Sequence, residues 1–511
     1  MTYQSVLYNS ETLEMFKGNP LIEVLPPRAD TTEIIRRLTH REPYEEEEVR
    51  NKSPEDRGML VQTLMRLYQP AMREVDVYHK IDRCIRWGYA DRNPLSPQFI
   101  RQQQHEYAAQ SRNQEFIRYT QSYPTTNGFA LLGTSGLGKS TTIRRILGCY
   151  PQVVRHTCYQ GQPFNETQIS WIHMDCPNDG SLKGLCGAFF EQVDGLLGTD
   201  YFSQYDEKRA TLNKMRIAMA RITRTYHLGV IVIDEIQALA VAKDESVPVK
   251  TLNFLVSLVN TIGVPVILVG TPRALAFLQK EFQQAKRASG QGDALWEHME
   301  NDIEWRRFVK AIWKYQYTRK KVELTDQLID ALYEEAIGIP FLAVSIYKLV
   351  QEFAIYSGKE TFTAQSFHTI ASQKMRLTRE MRAALRSGKE INLQQYLDLT
   401  PFKLEDFKQA TDSINPPEPP APAPIAKPDL REATIQALLT FGITRPEGMK
   451  LVNRAIAKNP SCTHSTILAR EAYSLYLQTS IAQIPLPASS SDLPALSSSY
   501  AENKANGFIG F

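Results

Sequence analysis

The sequence predicts an α/β fold: a parallel sheet that carries a phosphate-binding loop, a helical lid after it, a helical N-terminal region before it and a small helical C-terminal extension. Three observations predict it. Residues 133–140 read Gly-Thr-Ser-Gly-Leu-Gly-Lys-Ser, which fits G-x-x-x-x-G-K-[ST] and lies between an apolar run, Gly128 to Leu132, and a helically spaced stretch, Thr141 to Leu147. Leu228 to Glu235 is a β-branched apolar run closed by two acids, as a strand buried on both faces requires. From about 116 to 320 strand-like runs alternate with helical stretches, whereas 321 to about 395 reads as helices alone.

Each motif has a chemical reading. Glycines 133, 136 and 138 let the backbone turn its N–H groups inward around the β- and γ-phosphates at the positive end of the next helix, where anions are favoured. The expected ATP cradle is Gly133, Thr134, Ser135, Gly136, Leu137, Gly138, Lys139, Ser140 and Thr141. Lys139 neutralises phosphate oxygens, and Ser140 offers Mg²⁺ a hard oxygen ligand. Asp234 is placed to hold the same Mg²⁺, directly or through water, and Glu235 to orient and polarise the attacking water. The next strand, Val264 to Val269, runs into Gly270-Thr271-Pro272. In ATPases of the AAA+ class the residue at that point senses the γ-phosphate, and Thr271 is the side chain here that can. An α/β core followed by a helical lid is the AAA+ layout.

Length and composition set the frame. A chain of 511 residues, 42% hydrophobic and 23% charged, predicts two to four soluble domains. No run of 18 uninterrupted apolar residues and no charged-then-apolar N-terminus is present, so a cytoplasmic protein without a membrane partner is expected. The six cysteines contain no C-x-x-C pair, as in a reduced compartment. A net charge of +3 confines any nucleic-acid contact to local patches. The expected divisions are an N-terminal partner-interaction region (1–115) with a helical stretch from about Gly58 to Gly88, the nucleotide-binding core (116–320) and the lid (321–395). A proline-rich linker (396–428), holding seven of the 29 prolines between Asn415 and Pro428, a small helical domain (429–482) and a disordered tail (483–511) follow.

The segment Met174 to Cys186 (MDCPNDGSLKGLC), with Gly229 to Gln237 (GVIVIDEIQ), Asn253-Phe254, Val259 to Pro265, Gly270-Thr271-Pro272, Lys286 to Gly290, and Trp305 and Trp313 to Gln316, resembles the TnsC family of transposition regulators. So do Asn19 to Ile22 and the segment from Gly88-Tyr89 to Asn93-Pro94, which extends the resemblance over about residues 10–380. It implies an AAA+ ATPase that forms homo-oligomeric rings or helical filaments on double-stranded DNA. Such proteins couple a TniQ/TnsD-type target selector, in some elements joined to an RNA-guided CRISPR complex, to a TnsA/TnsB-type transposase. ATP state controls the assembly. Two departures stand out. The lid passes through Gly338 to Leu342 into a helix whose first turns carry no arginine, which points to slow hydrolysis, and the bundle after the proline linker has no counterpart in the family.

An AAA+ site is completed by an arginine from the neighbouring subunit. Arg287 is the first candidate, with Arg306 and Arg307 as rivals. For DNA phosphates, the stretch Asp206 to Tyr226 offers Lys208, Arg209, Lys214, Arg216, Arg221 and Arg224, and Lys183 lies in the family-like segment. A second face, at i, i+3, i+7 spacing, is Arg379, Arg382 and Arg386. Other readings share the nucleotide motifs: an IstB-like or replication-initiator-like DNA-loading ATPase, a signalling P-loop switch, or a scaffold that binds ATP and scarcely hydrolyses it. The first lacks a recognisable winged-helix module here, the second a repeat of 20–50 residues, and the intact Glu235 speaks against the third.

Overall fold

A computed structural model describes residues 6–10, 13–97, 99–101, 128–205, 210–241, 254, 263–274, 278, 291–387, 430–440 and 443–458, with single positions at 468, 471, 472 and 475. The described chain forms two compact units divided after Leu404. The proline-rich linker and the tail lie outside the described residues.

The first unit opens with helices α1 (Pro20–Glu23), α2 (Thr31–Leu38), α3 (Glu46–Arg50), α4 (Pro54–Leu60) and α5 (Met72–Ala90). The core follows: β1 (Phe129–Gly133), α6 (Lys139–Leu147), β2 (Val153–Tyr159), β3 (Gln162–Ile169), β4 (Trp171–Asp175), α7 (Leu182–Leu197), α8 (Tyr201–Gln204), α9 (Leu212–Thr225), β5 (Val230–Asp234), β6 (Val266–Gly270) and β7 (Ala294–Trp296). The sheet has the order β4-β5-β6-β1-β7 and every pairing is parallel. Both faces of the central strands β1, β5 and β6 are buried, which is why these three read as unbroken apolar runs. Ala130, Leu132, Ile231, Ile233 and Leu268 pack under α7 and α9. The alternate residues, Phe129, Leu131, Val230, Val232 and Ile267, pack under α5 and α6.

Among the described strands β2 and β3 pair only with each other, as an antiparallel hairpin, which the expected strand–helix alternation did not include. Its turn is Gln160-Gly161, with φ of 48° and 76°, the left-handed pair that a two-residue hairpin needs.

The lid is built from α10 (Ile303–Trp313), α11 (Asp326–Ala336), α12 (Pro340–Tyr356), α13 (Ala364–Lys374) and α14 (Arg379–Ser387). Trp305, Val309, Ile312 and Trp313 of α10 share one apolar cluster with Leu332, Tyr347 and Phe367, so the helical region begins at Ile303, ahead of the expected 321. No single helix among the described residues is long and apolar enough to cross a membrane. The second unit has α15 (Leu430–Thr440) and α16 (Arg445–Lys458) closed around Ile435, Leu438, Leu451 and Val452.

The N-terminal segment joins both layers. The helical stretch expected from Gly58 to Gly88 is broken: α4 leads into a 3-10 turn, residues 67–71 are extended, and α5 begins at Met72. Pro70 explains the break, since it has no N–H for a helix and forces its predecessor into extended geometry. Before the break, Val49, Val61 and Leu64 pack in the lid cluster; after it, Val75, Tyr78, Ile81 and Tyr89 pack on the sheet. Arg57, fully buried, donates to both carboxylate oxygens of Glu360 (2.7 and 2.6 Å) and to the Tyr317 carbonyl (2.9 Å). The Arg57 guanidinium holds the Glu360 carboxyl below the usual 4.5, against the opposing effect of burial.

A group with a depressed folded pKa contributes stability above its unfolded value and loses it as pH falls through the folded one. Urea unfolding of Glu360→Gln is therefore expected to give a flatter acid limb below pH 4.5 than the parent chain. Arg57→Ala strands the carboxylate and should cost about 3–5 kcal/mol near neutral pH. Parallel acid limbs in parent and Glu360→Gln would remove the pair from the account of stability.

Candidate functional site

The phosphate loop runs from the end of β1 to the start of α6. Gly136 and Gly138 have φ of 86° and 90°, where a side chain is strained, and Gly138 caps the helix. Lys139, nearly buried, donates through Nζ to the carbonyls of Gly133 (2.6 Å) and Thr134 (2.9 Å), which holds the ammonium across the mouth of the loop. The loop is braced from three directions. Arg73 of α5 reaches the Leu137 carbonyl (3.4 Å) and lies over Trp296 at 4.6 Å; the Phe341 N–H of α12 donates to the Gly136 carbonyl (3.3 Å); and Tyr68 hydrogen-bonds Thr142 (2.6 Å).

β5 delivers the acid pair. Burial alone would raise the Asp234 carboxyl, but the His173 imidazole, the Ser140 hydroxyl and the Glu235 N–H together hold it below the usual carboxylate range. It is therefore ionised and beside Ser140, and this oxygen pair fits Mg²⁺. Glu235 is exposed and stands at φ 55°, a strained left-handed conformation that turns its carboxylate away from the buried strand. Gln237 binds Glu235 through its side-chain N–H and accepts from the Thr271 N–H (3.1 Å) through Oε1. Thr271 is buried at the end of β6, between the other two strand ends.

These groups open on one cavity of about 880 Å³. Ser135 to Thr141, Asp234, Glu235 and Thr271 line it; Gly133 and Thr134 stand behind the wall, as acceptors for Lys139. Several lining residues were not named as site residues from the sequence, and Arg307 was named only as a rival for the arginine that completes a neighbour's site. Tyr68 to Glu74, around the Pro70 break, form one wall, and Gln237 joins the acidic edge. Arg307 and Lys310 on the exposed face of α10, and Lys314 at its C-cap, at i, i+3, i+7 spacing, supply positive charge from the lid, where the first turns of α12 have none. The helical spacing of these three was the available signal.

The remaining candidates fall apart into groups. Arg287 lies outside the described residues, as do Lys208 and Arg209. Arg306 is ion-paired with Asp326, whereas Arg307 lines the cavity of its own chain. On α9, Lys214 and Arg221 are exposed, Arg224 is half-buried, and Arg216 lies over Phe254 at 5.7 Å. Lys183 is half-buried and donates to the Ala210 carbonyl (3.0 Å). The second basic face needs correction. Arg382 is buried and ion-paired with Glu335, and Arg386 binds Glu335 (2.9 Å) and the Glu334 carbonyl (2.7 Å), so these two hold lid helices together. Only Arg379 of the three is left exposed and outside that network of ion pairs.

His298 hydrogen-bonds Thr134 (3.1 Å) behind the loop, and burial, then Arg73, pushes its pKa from 6.5 down to about 4. In that window the unfolded chain takes up a proton that the folded one refuses, so stability falls as pH drops from 6.5 to about 4. His298→Gln is expected to lose this part of the pH dependence in denaturant titrations. An unaltered profile would place the imidazole in contact with water.

Comparison with known proteins gives one family match: residues 125–278 match the AAA domain family (AAA_22). No curated protein matches. Among solved structures, the Aeropyrum pernix ORC2 protein in its ADPNP-ADP complexes is 13% identical with a TM-score of 0.32, over 56% of this chain and 77% of that one. A Walker-type ATPase of Pyrococcus abyssi gives 13% and 0.32, over 57% and 84%. Drosophila ORC bound to DNA gives 10% and 0.33, over 78% and 84%. The segment 125–278, which matches the AAA domain, holds the phosphate loop and four of the five parallel strands, with β7 just beyond it, and the fold is of the P-loop α/β class.

Proposed function

We propose that this chain binds and hydrolyses ATP and, as a TnsC-type regulator, uses the nucleotide to control its own assembly on double-stranded DNA during transposition. The observation that supports the ATPase reading is the meeting of Lys139, Ser140, Asp234, Glu235 and Thr271 on one cavity. The sequence resemblance to TnsC, in the strand with Asp234 and Glu235, in Met174 to Cys186 before it and in the segments after it, supports the transposition reading.

The phosphates enter the loop, where Lys139 exchanges its two carbonyl acceptors for phosphate oxygens. Ser140 and Asp234 hold Mg²⁺, which when bound neutralises charge on the β- and γ-phosphates. Glu235 accepts a hydrogen bond from the attacking water and takes up its proton as the oxygen bonds to the γ-phosphorus and the bond to the bridging oxygen of ADP breaks. Gln237 fixes that carboxylate relative to the Thr271 backbone, so the water position and the γ-phosphate position are set by one side chain. The finer assignments belong to the same proposal: Arg287 as the charge supplied to the neighbouring subunit's site, a homo-oligomer as the working state, and TniQ/TnsD-type and TnsA/TnsB-type proteins as partners.

Lys139→Ala is expected to weaken ATP about ten- to a hundredfold, because a charge-assisted contact is lost. Glu235→Gln should keep ATP binding within about threefold while turnover falls roughly a hundredfold or more, measured by phosphate release. Normal turnover in Glu235→Gln would mean that another group positions the water.

On DNA, phosphate contacts predict little sequence preference and a steep decline of binding with salt. Removing the charges of Lys214 and Arg221 should lower the slope of log affinity against log salt by about one unit per contact. An unchanged slope would take the duplex off this face of α9, and failure of electron microscopy to show ATP-dependent rings or filaments on DNA would overturn the assembly reading.

A further inference from the structure

The edge of the sheet next to Asp234 carries a ligand set that the phosphate chemistry does not require. β4 and β5 run parallel in register, with Asp175 opposite Asp234. Residues two apart in a strand share a face, so His173 and Asp175 lie on the side of the sheet where Asp234 stands. One ligand atom from each of the three lies within 4.8 Å of the others. Ligands on one ion with bonds of about 2.0–2.2 Å stand roughly 3–4 Å apart, so small side-chain adjustments bring the three onto a single centre.

The imidazole gives the second observation. His173 Nε2 is buried, makes no hydrogen bond, and lies 3.5 Å from Asp234 Oδ2. A buried polar atom left without a hydrogen bond is costly, and coordination would satisfy it. Oxygen ligands suit Mg²⁺, whereas an imidazole nitrogen suits first-row transition ions.

We propose that His173, Asp175 and Asp234 form a divalent-metal site with one nitrogen ligand, which takes Mn²⁺, Co²⁺ or Zn²⁺ in preference to Mg²⁺. It rests on the reading of Asp234 as the metal-holding carboxylate of the nucleotide site, and it adds a choice of metal to that reading. Asp234 is then shared: Ser140 stands on its loop side and His173 on its β4 side. A transition ion held by His173 and Asp175 draws Asp234 from the position it takes for Mg²⁺ beside Ser140. The metal supply thereby influences nucleotide binding.

The test uses the full chain without nucleotide. Co²⁺ titration followed by visible absorption should show saturable binding of one equivalent. His173→Gln should weaken Co²⁺ about tenfold or more while changing Mg²⁺ affinity less than about twofold, and Asp175→Asn should weaken Co²⁺ to a similar degree. On the unmodified chain, pulsed electron paramagnetic resonance of bound Mn²⁺ should show coupling to a directly bonded nitrogen. Equal Co²⁺ affinity in parent and His173→Gln, equal losses of Mg²⁺ and Co²⁺, or Mn²⁺ without nitrogen coupling would each overturn the proposal. The nucleotide reading is tested apart from it. A parent chain that fails to bind Mg-ATP sinks that reading, while Mg-ATP binding without nitrogen-coupled Mn²⁺ leaves it standing and removes only the second ligand set.

Discussion

The parallel pairing of β5, β6 and β1 is the constraint on which the site depends. Side-by-side strands with a common direction end on one edge of the sheet, and here Ile233 pairs with Leu268 and Leu132 with Gly270. That register brings the phosphate loop, Thr271 and the acid pair to neighbouring strand ends although they are far apart in the chain. A shift of one residue in β6 would turn its apolar faces over and carry Thr271 away from Gln237. The apolar packing on both faces of the sheet prevents that shift.

Around this edge the N-terminal segment acts as part of the nucleotide domain. Its buried residues are divided between the lid cluster and the sheet cluster, and the Pro70 break lies where the segment passes the cavity. Arg57 and Glu360 secure it to the lid, and Arg73 secures it to the loop. The lid is thus joined to the sheet layer both through this segment and directly, by the hydrogen bond from Phe341 to Gly136.

Charge is arranged with similar economy. Asp234 is buried yet ionised because the Glu235 N–H donates to it and the His173 imidazole and Ser140 hydroxyl stand beside it, and Glu235, one residue later, is exposed because a left-handed backbone turns it outward. Two adjacent carboxylates thus have different surroundings, one suited to a cation and one to a water molecule. On the opposite wall, Arg307, Lys310 and Lys314 give the lid a positive face toward the cavity.

The sequence by itself determined the phosphate loop, the strand with Asp234 and Glu235, the position of Thr271, and the order of sheet and lid. Each depends on chemistry that is local in the chain: glycines that permit left-handed turns, a lysine and a serine at fixed offsets, and apolar runs long enough for one buried strand. Only the tertiary structure decided what lies opposite them. Gln237 bridges Glu235 and Thr271, His298 supports Thr134, and His173 adjoins Asp234 because strands that are distant in sequence pair in one register, which no local pattern encodes. The spacing of Arg379, Arg382 and Arg386 showed a shared helix face but not what that face meets. For Arg382 and Arg386 the answer is Glu335, some fifty residues earlier, because packing of the lid helices buries that carboxylate and a buried charge requires a partner.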